Sequence, residues 1–271
     1  MIEPFRLENG LLFVRDWEER FPHILAGFTT RLDGVSKSRF TGNNIAYQVG
    51  DIPAYVQANR KKMGEKIGFN WEEWVVAEQA HTNTVAEVTQ ADCGAGTHDF
   101  ESGIPKTDGL YTTDHDVLLT AFYADCVPLL FIAPNHDLVG VVHAGWQGSV
   151  NEITRVFVKE WLAKGILPSE IHVAIGPAIS KANYRVDLPV IEQVLAMETP
   201  NTQLAFSDLG TGEYKLDTPY LNELQLLDLG IPSENILRTS YCTVADIDLF
   251  YSFRKEGLTG RMMAFIAQTN K

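Results

Sequence analysis

The feature that most narrows the fold is an apolar block beginning at Val117, two stretches reading VLLTAFYA and VPLLFIA with Asp125 and Cys126 between them. Pro128 cannot donate a ladder hydrogen bond, so the polar interruption marks a bulge or a strand end. Asp137 to His143 follows as a further strand, then a glycine-flanked turn at Gly145 to Gly148. Next, Val150, Ile153, Phe157 and Trp161 recur at three-to-four spacing, which predicts one helix closed by Gly165. IHVAIGPAI, ILRTSYCT and RMMAFIA predict later strands, and LLFVRD and ILAGFTT earlier ones. PAYVQANRKKMGEKIG predicts a helix, with Pro53 at its opening and Gly68 after it. Strands and helices mix without strict alternation. The pattern therefore predicts an α/β (α+β) layered sandwich of mixed sheets flanked by helices rather than a barrel, in a single domain over residues 1–271.

Composition limits the partners. A chain of 271 residues with 45% apolar content can bury a substantial core. A net charge of -13 argues against general binding to the nucleic-acid backbone, which needs a basic stripe. A small anion can still bind where a few arginines converge. The sequence holds no apolar run long enough to span a membrane, and MIEPFRLENGLLFVRDW lacks the basic-then-apolar layout of a signal peptide. Cys93, Cys126 and Cys242 are widely spaced and odd in number, which predicts free thiols and a cytoplasmic protein. Neither repeats nor low-complexity tracts occur.

Three residues sit where apolar segments give way to turns: His81 in EQAHTNTV, Cys126 in ADCVP and His143 in VVHAGWQG. Each alone reads most simply as core or as a hydrogen-bonded structural residue. Together, one Cys and two His from separate strand ends would supply the three-ligand, open-position set of a catalytic zinc. None of them stands at the short spacing of a structural zinc site, and the spacing alone does not decide between the readings. Arg31 in GFTTR, Arg254 in FYSFRKEG and Arg261 in GLTGR form a second group suited to phosphate or carboxylate. Arg254 is expected on a strand face shared with Phe250 and Ser252. KTDG can place Asp108 in a site, although Asp-Gly is first a turn signal. Phosphate-loop, dinucleotide-binding, nucleobase-deaminase and nucleophile-elbow motifs are all absent.

Taken in order, GFTTRLDGVS, NNIAYQVGD, AEQAHTNTV, KTDGLYTT, YADCVPLLF, VVHAGWQG, AIGPAI and FYSFRKEGLTGRMMAFI resemble the YfiH/YlmD/FAMIN family along nearly the whole chain. That family carried the label of a laccase-like multicopper polyphenol oxidoreductase and is regarded as purine nucleoside phosphorylases with adenosine deaminase activity. The resemblance implies that His81, Cys126 and His143 ligate a metal, zinc first and copper as the alternative. It also implies a compact α/β sandwich, akin to some cysteine-dependent bacterial toxins. Asn44, Arg31, Arg254 and Arg261 are then expected to contact substrate or phosphate. Two positions depart from the family pattern: Asn183 stands where a cysteine is frequent, and Gln48 where a histidine is frequent.

A multicopper oxidase needs about ten histidines beside a cysteine. This chain has seven, and His23, His115, His136 and His172 lie outside any motif. The implied reaction joins inorganic phosphate to C1′ of adenosine, inosine or methylthioadenosine as the purine departs, with deamination at C6 of adenine as a second activity. Asp125 is the candidate acid for the base. The chain is expected to act as a monomer or small homo-oligomer on purine nucleosides and phosphate. Competing readings are a hydrolase with Cys126 as nucleophile and His143 as base, a copper-dependent polyphenol oxidase, and a zinc-stabilised interaction domain without catalysis.

Overall fold

A computed structural model describes residues 3–270. Two six-stranded sheets lie face to face. In the first, the strands run in the order Phe5–Glu8, Leu11–Val14, Ile24–Thr29, Met262–Gln268, Leu119–Tyr123 and Val75–Val76. In the second they run Ile236–Arg238, His172–Ile175, Val127–Ala133, Leu138–Ala144, Gly109–Thr112 and Val85–Glu87. Most neighbours are antiparallel. Parallel pairing occurs where Val75–Val76 meets Leu119–Tyr123 and at both edges of the second sheet.

Side-chain alternation explains why the central strands read as unbroken apolar runs. Along Met262–Gln268, Met262, Ala264 and Ile266 enter the core between the sheets, while Met263, Phe265 and Ala267 face outward beneath the helix Pro53–Ile67. Along Leu138–Ala144, Val139 and Val141 point inward; Leu138, Val142 and Ala144 pack outward with Phe157 and Trp161 of the helix Ile153–Ala163. A strand covered on both faces has no polar alternation to show. Each large side chain buried this way contributes about 1.5–3 kcal/mol. The layers are thus helix, sheet, sheet, helix, the expected layered α/β class.

A third, three-stranded sheet of Arg185–Asp187, Glu213–Leu216 and Phe206–Asp208 packs with the helices Leu188–Leu195 and Thr218–Asp228 around a small core of its own. The polar pair in the apolar block proves to be a corner. The chain leaves the first sheet at Tyr123 and enters the second at Val127, and Asp125 takes a left-handed φ of 88° to make the turn. The helix Pro53–Ile67 begins and ends as expected, with Gly68 left-handed after it. The single helix expected after Gly148 is instead two, Trp146–Val150 and Ile153–Ala163, because Glu152 adopts a left-handed φ of 58° between them. LLFVRD ends its strand at Val14 and continues as a short helix, Arg15–Arg20.

Candidate active site

His81 and Cys126 both lie on crossings from the first sheet to the second. Cys126 follows the corner at Asp125, and His81 lies in the loop joining Val75–Val76 to Val85–Glu87, at a left-handed φ of 59°. His143 is the penultimate residue of Leu138–Ala144, paired in register with Pro128, which brings its ring beside the Cys126 corner. One nitrogen from each histidine and the Cys126 sulfur lie within 4.8 Å of one another. His81 Nε2 is 4.0 Å from Cys126 Sγ, and the two imidazole rings meet edge to face at 4.8 Å. Gly145 makes this convergence possible, since a Cβ there would come within 2.8 Å of the His81 ring and 3.3 Å of the Cys126 sulfur.

Asp108 fixes the cluster from behind. Its carboxylate lies 2.8 Å from His143 Nδ1, so the buried ring holds its other nitrogen toward the cluster. The same carboxylate accepts the backbone N–H groups of Ala80, His81 and Thr82 and the hydroxyl of Thr82. One acidic side chain thereby sets both the ring of one histidine and the loop that carries the other. Burial by itself would raise the Asp108 pKa, but the hydrogen bond and charge of His143, with the Thr82 donors, hold it below the ordinary value.

Burial would likewise raise the Cys126 thiol, yet the charge of His143 and hydrogen bonds from His143 and His81 bring it down to about 6. Burial would lower His143, and Cys126 and Asp108 overcome it, pushing the imidazole up to about 9. Such a thiolate is a ready metal ligand or nucleophile near neutral pH. A thiolate and two imidazoles at this spacing, one imidazole backed by a carboxylate, fit zinc with a coordination position left for substrate. A multicopper set does not fit. Besides His81 and His143, His98 stacks on Trp71, His172 stacks on Phe21, and His115 and His136 lie beside Asp137 and Glu170.

The cluster opens into a cavity of about 510 Å³. Its walls are strongly aromatic, with Phe100, Phe122, Trp146, Tyr184 and Phe253, and its polar lining includes Gln48, Gln79, Gln147, Arg254 and Arg261. Gln79 clamps one wall, donating to the Phe122 carbonyl at 2.9 Å and accepting the Phe122 N–H at 2.7 Å.

Arg254 and Arg261 reach this cavity, and Arg31 and Asn44 do not line it. Arg31 is held elsewhere by Glu256 at 3.0 Å, by the carbonyls of Ile247 and Phe250, and by stacking over Tyr251. Asn44 is fully buried and accepts the Arg261 backbone N–H at 3.0 Å, so it acts on the shape of the wall. Arg254 sits on the short helix Phe253–Glu256 rather than on a strand, because Ser252 caps that helix by accepting the Lys255 N–H. Asp125 lines the cavity, but both its oxygens are engaged, one by the Thr243 hydroxyl at 2.5 Å and one by the Arg254 backbone N–H at 2.6 Å. That geometry makes it an anchor for the Arg254 helix rather than a free proton donor.

The aromatic walls, Gln79 and the anchoring role of Asp108 escaped the sequence. Only the KTDG turn gave any signal for the last of these.

Comparison with known proteins extends this picture. Residues 25–269 match the family described as multi-copper polyphenol oxidoreductase laccase. The purine nucleoside phosphorylase YlmD of Bacillus subtilis (strain 168) is 41% identical over 269 residues, covering 97% of this chain and 96% of that protein. The crystal structure of YlmD from Geobacillus stearothermophilus superposes with a TM-score of 0.95 at 39% identity, covering 99% of this chain and 100% of that one. The crystal structure of Neisseria meningitidis protein NMB0706 matches with a TM-score of 0.79 at 28% identity, over 92% of this chain and 95% of that one.

Proposed function

The chain belongs to the family described as multi-copper polyphenol oxidoreductase laccase, and on that premise we propose that it is a zinc-dependent purine nucleoside phosphorylase with adenosine deaminase activity. The observation that carries the reading is one cavity combining aromatic walls, two arginines and the His81, Cys126 and His143 cluster. The relatives named purine nucleoside phosphorylase support it. The aromatic walls suit a purine ring, and the guanidinium groups suit phosphate. His81, Cys126 and His143 would hold the zinc, which when bound supplies Lewis-acid charge stabilisation.

Phosphorolysis forms a bond between a phosphate oxygen and C1′ while the bond from C1′ to the purine nitrogen breaks and its electron pair leaves with the base. The chain's contribution is positional. Arg254 and Arg261 would hold the phosphate and the aromatic side chains would fix the base. In the deaminase reaction water would add at C6 of the adenine and the 6-amino group would leave as ammonia, giving inosine. Inosine, adenosine and methylthioadenosine are the expected substrates.

Among the described residues no helix is long and apolar enough to cross a membrane, and the three cysteines are unpaired. Unpaired thiols support our placement of the protein in a reducing cytoplasm, and we propose separately that it acts as a monomer or small homo-oligomer. Product analysis tests the function directly. Ribose 1-phosphate should form from inosine or adenosine only when phosphate is present, and ammonia only from adenosine. Equal base release in both buffers would make the protein a hydrolase.

A second reading is favoured by one specific observation, the lowered Cys126 thiol beside a His143 that Asp108 orients. These three residues would then act as a nucleophile, its base and an orienting acid. Full activity after exhaustive chelation would support it over the zinc enzyme.

A further inference from the structure

The two cavity arginines are not equivalent. Arg254 is exposed; its Nη1 donates to the Arg185 carbonyl at 2.9 Å and its guanidinium lies over the Tyr184 ring. Arg261 is more enclosed and pairs with no carboxylate among the described residues. Its Nη1 donates to the carbonyls of Thr259 and Gly260 at 2.8 and 3.0 Å, which fixes the plane of the guanidinium. Burial lowers its pKa, with Cys126 and Asp125 opposing. A guanidinium held in place without a counter-ion is the arrangement an incoming anion stabilises.

The backbone behind Arg261 is equally fixed. Its N–H donates to Asn44, whose amide donates to Asp51 at 3.0 Å; Asp51 accepts the Ser36 hydroxyl at 2.6 Å, and that hydroxyl accepts from Asn59 at 3.0 Å. Asn59 also donates to the Asn44 carbonyl, closing the network. Ser36, Asn44 and Asn59 are all buried. The loop this network holds, between Asn44 and Asp51, carries Gln48 into the same cavity as Arg261. A buried polar network with every member satisfied rigidifies what it touches.

We infer that Arg261, supported by the network through Asn44 and sharing its cavity with Gln48, is the principal phosphate seat, and that the exposed Arg254, held against Tyr184 and the Arg185 carbonyl, plays the lesser part in holding phosphate. The inference rests on the phosphorylase reading for its ligand. Its consequence is a division of labour that equal arginines would not show.

The test uses calorimetric titration of inorganic phosphate into the wild-type holoenzyme and the Arg261→Lys, Arg261→Gln and Arg254→Lys variants, with steady-state kinetics on inosine. Arg261→Lys should weaken phosphate binding and raise KM for phosphate about tenfold or more, while KM for inosine stays within about twofold. Arg254→Lys should change phosphate binding less and affect inosine and phosphate together. Arg261→Lys keeps the charge, so it carries the test if Arg261→Gln fails to fold. Unchanged phosphate affinity in Arg261→Lys, or a larger loss in Arg254→Lys, overturns the inference. Phosphate binding that depends on Arg261 without phosphate-dependent base release would uphold the seat and reject the phosphorylase reading. A wild type that binds no phosphate overturns both.

Discussion

Two polar clusters, one centred on the buried Arg155 and one on the buried Asp108, are built to opposite ends. Around Arg155 every charge is answered. Its guanidinium binds Glu152 at 3.0 Å, Asp228 at 2.6 Å and the Thr199 hydroxyl at 2.9 Å, and Glu152 in turn accepts the Thr199 N–H. Around Asp108 the supporting groups are answered in the same way, but Cys126, His81 and His143 turn their donor atoms toward one another and toward a cavity. A closed network spends its hydrogen bonds on the fold. An incompletely closed one, with lone pairs converging, is a place for a ligand.

Both clusters also use a left-handed residue, Glu152 in one and His81 in the other. At Glu152 the conformation breaks a helix so that its carboxylate can reach Arg155 and Thr199. At His81 it aims an imidazole at Cys126 and His143, with Asp108 holding the backbone from behind. Unusual backbone is therefore informative about function only when what it presents is left open.

Substitutions should separate the two clusters. Cys126→Ala is expected to have the largest effect, with loss of bound zinc and a fall in phosphorolysis of about a hundredfold or more, while the chelated protein melts as the chelated wild type does. Elemental analysis, turnover and melting curves check all three parts. Arg155→Ala should do the reverse, costing about 1–2 kcal/mol of stability by leaving the partly buried Glu152 and the more exposed Asp228 without their partner, with zinc content per folded chain unchanged. Denaturant unfolding beside metal analysis measures this contrast, which would collapse if Arg155→Ala also emptied the metal site.

Asp108→Asn should weaken zinc binding about 10- to 100-fold, because the amide cannot hold both His143 and the His81 loop as the carboxylate does. Competition with a chromophoric chelator reads the affinity, and an unaltered value would show that the carboxylate only fills space. The smallest expected effect is on acid stability. Burial would raise the Glu152 pKa, but hydrogen bonds from Thr199 and Arg155 and the charge of Arg155 hold it below its ordinary 4.5. A depressed carboxylate stabilises the fold above that ordinary value and loses the contribution as pH falls through the folded value. Wild type should therefore lose more stability than Glu152→Gln between neutral pH and about 3, as melting temperatures across that range would record.

What could be read from the sequence follows the same division. His81, Cys126 and His143 stood out because they lie where apolar segments give way to turns, and their reading as a ligand set came from the family resemblance. The helix Pro53–Ile67 was legible through Pro53 and Gly68. The break at Glu152 was not, since the contacts its carboxylate makes there include Thr199, far along the chain. The third sheet escaped because its strands are short, with Arg185, Asp187, Ser207 and Asp208 exposed and little apolar pattern to follow. Arg254 was set on a strand because Phe250, Ser252 and Arg254 alternate, whereas the Ser252 cap turns the chain into a helix. Arg31 and Asn44 are near the cavity arginines in the fold but spend their hydrogen bonds on structure, which spacing alone cannot reveal.

X-ray absorption at the zinc edge tests the central claim most directly, that His81, Cys126 and His143 together hold a metal at an open site. The wild type should show one sulfur at about 2.3 Å and two imidazole nitrogens at about 2.0–2.1 Å, with a further light-atom ligand. The sulfur shell should vanish in Cys126→Ala. A wild-type spectrum with no sulfur neighbour, or a Cys126→Ala protein with the same spectrum as wild type, would contradict the account.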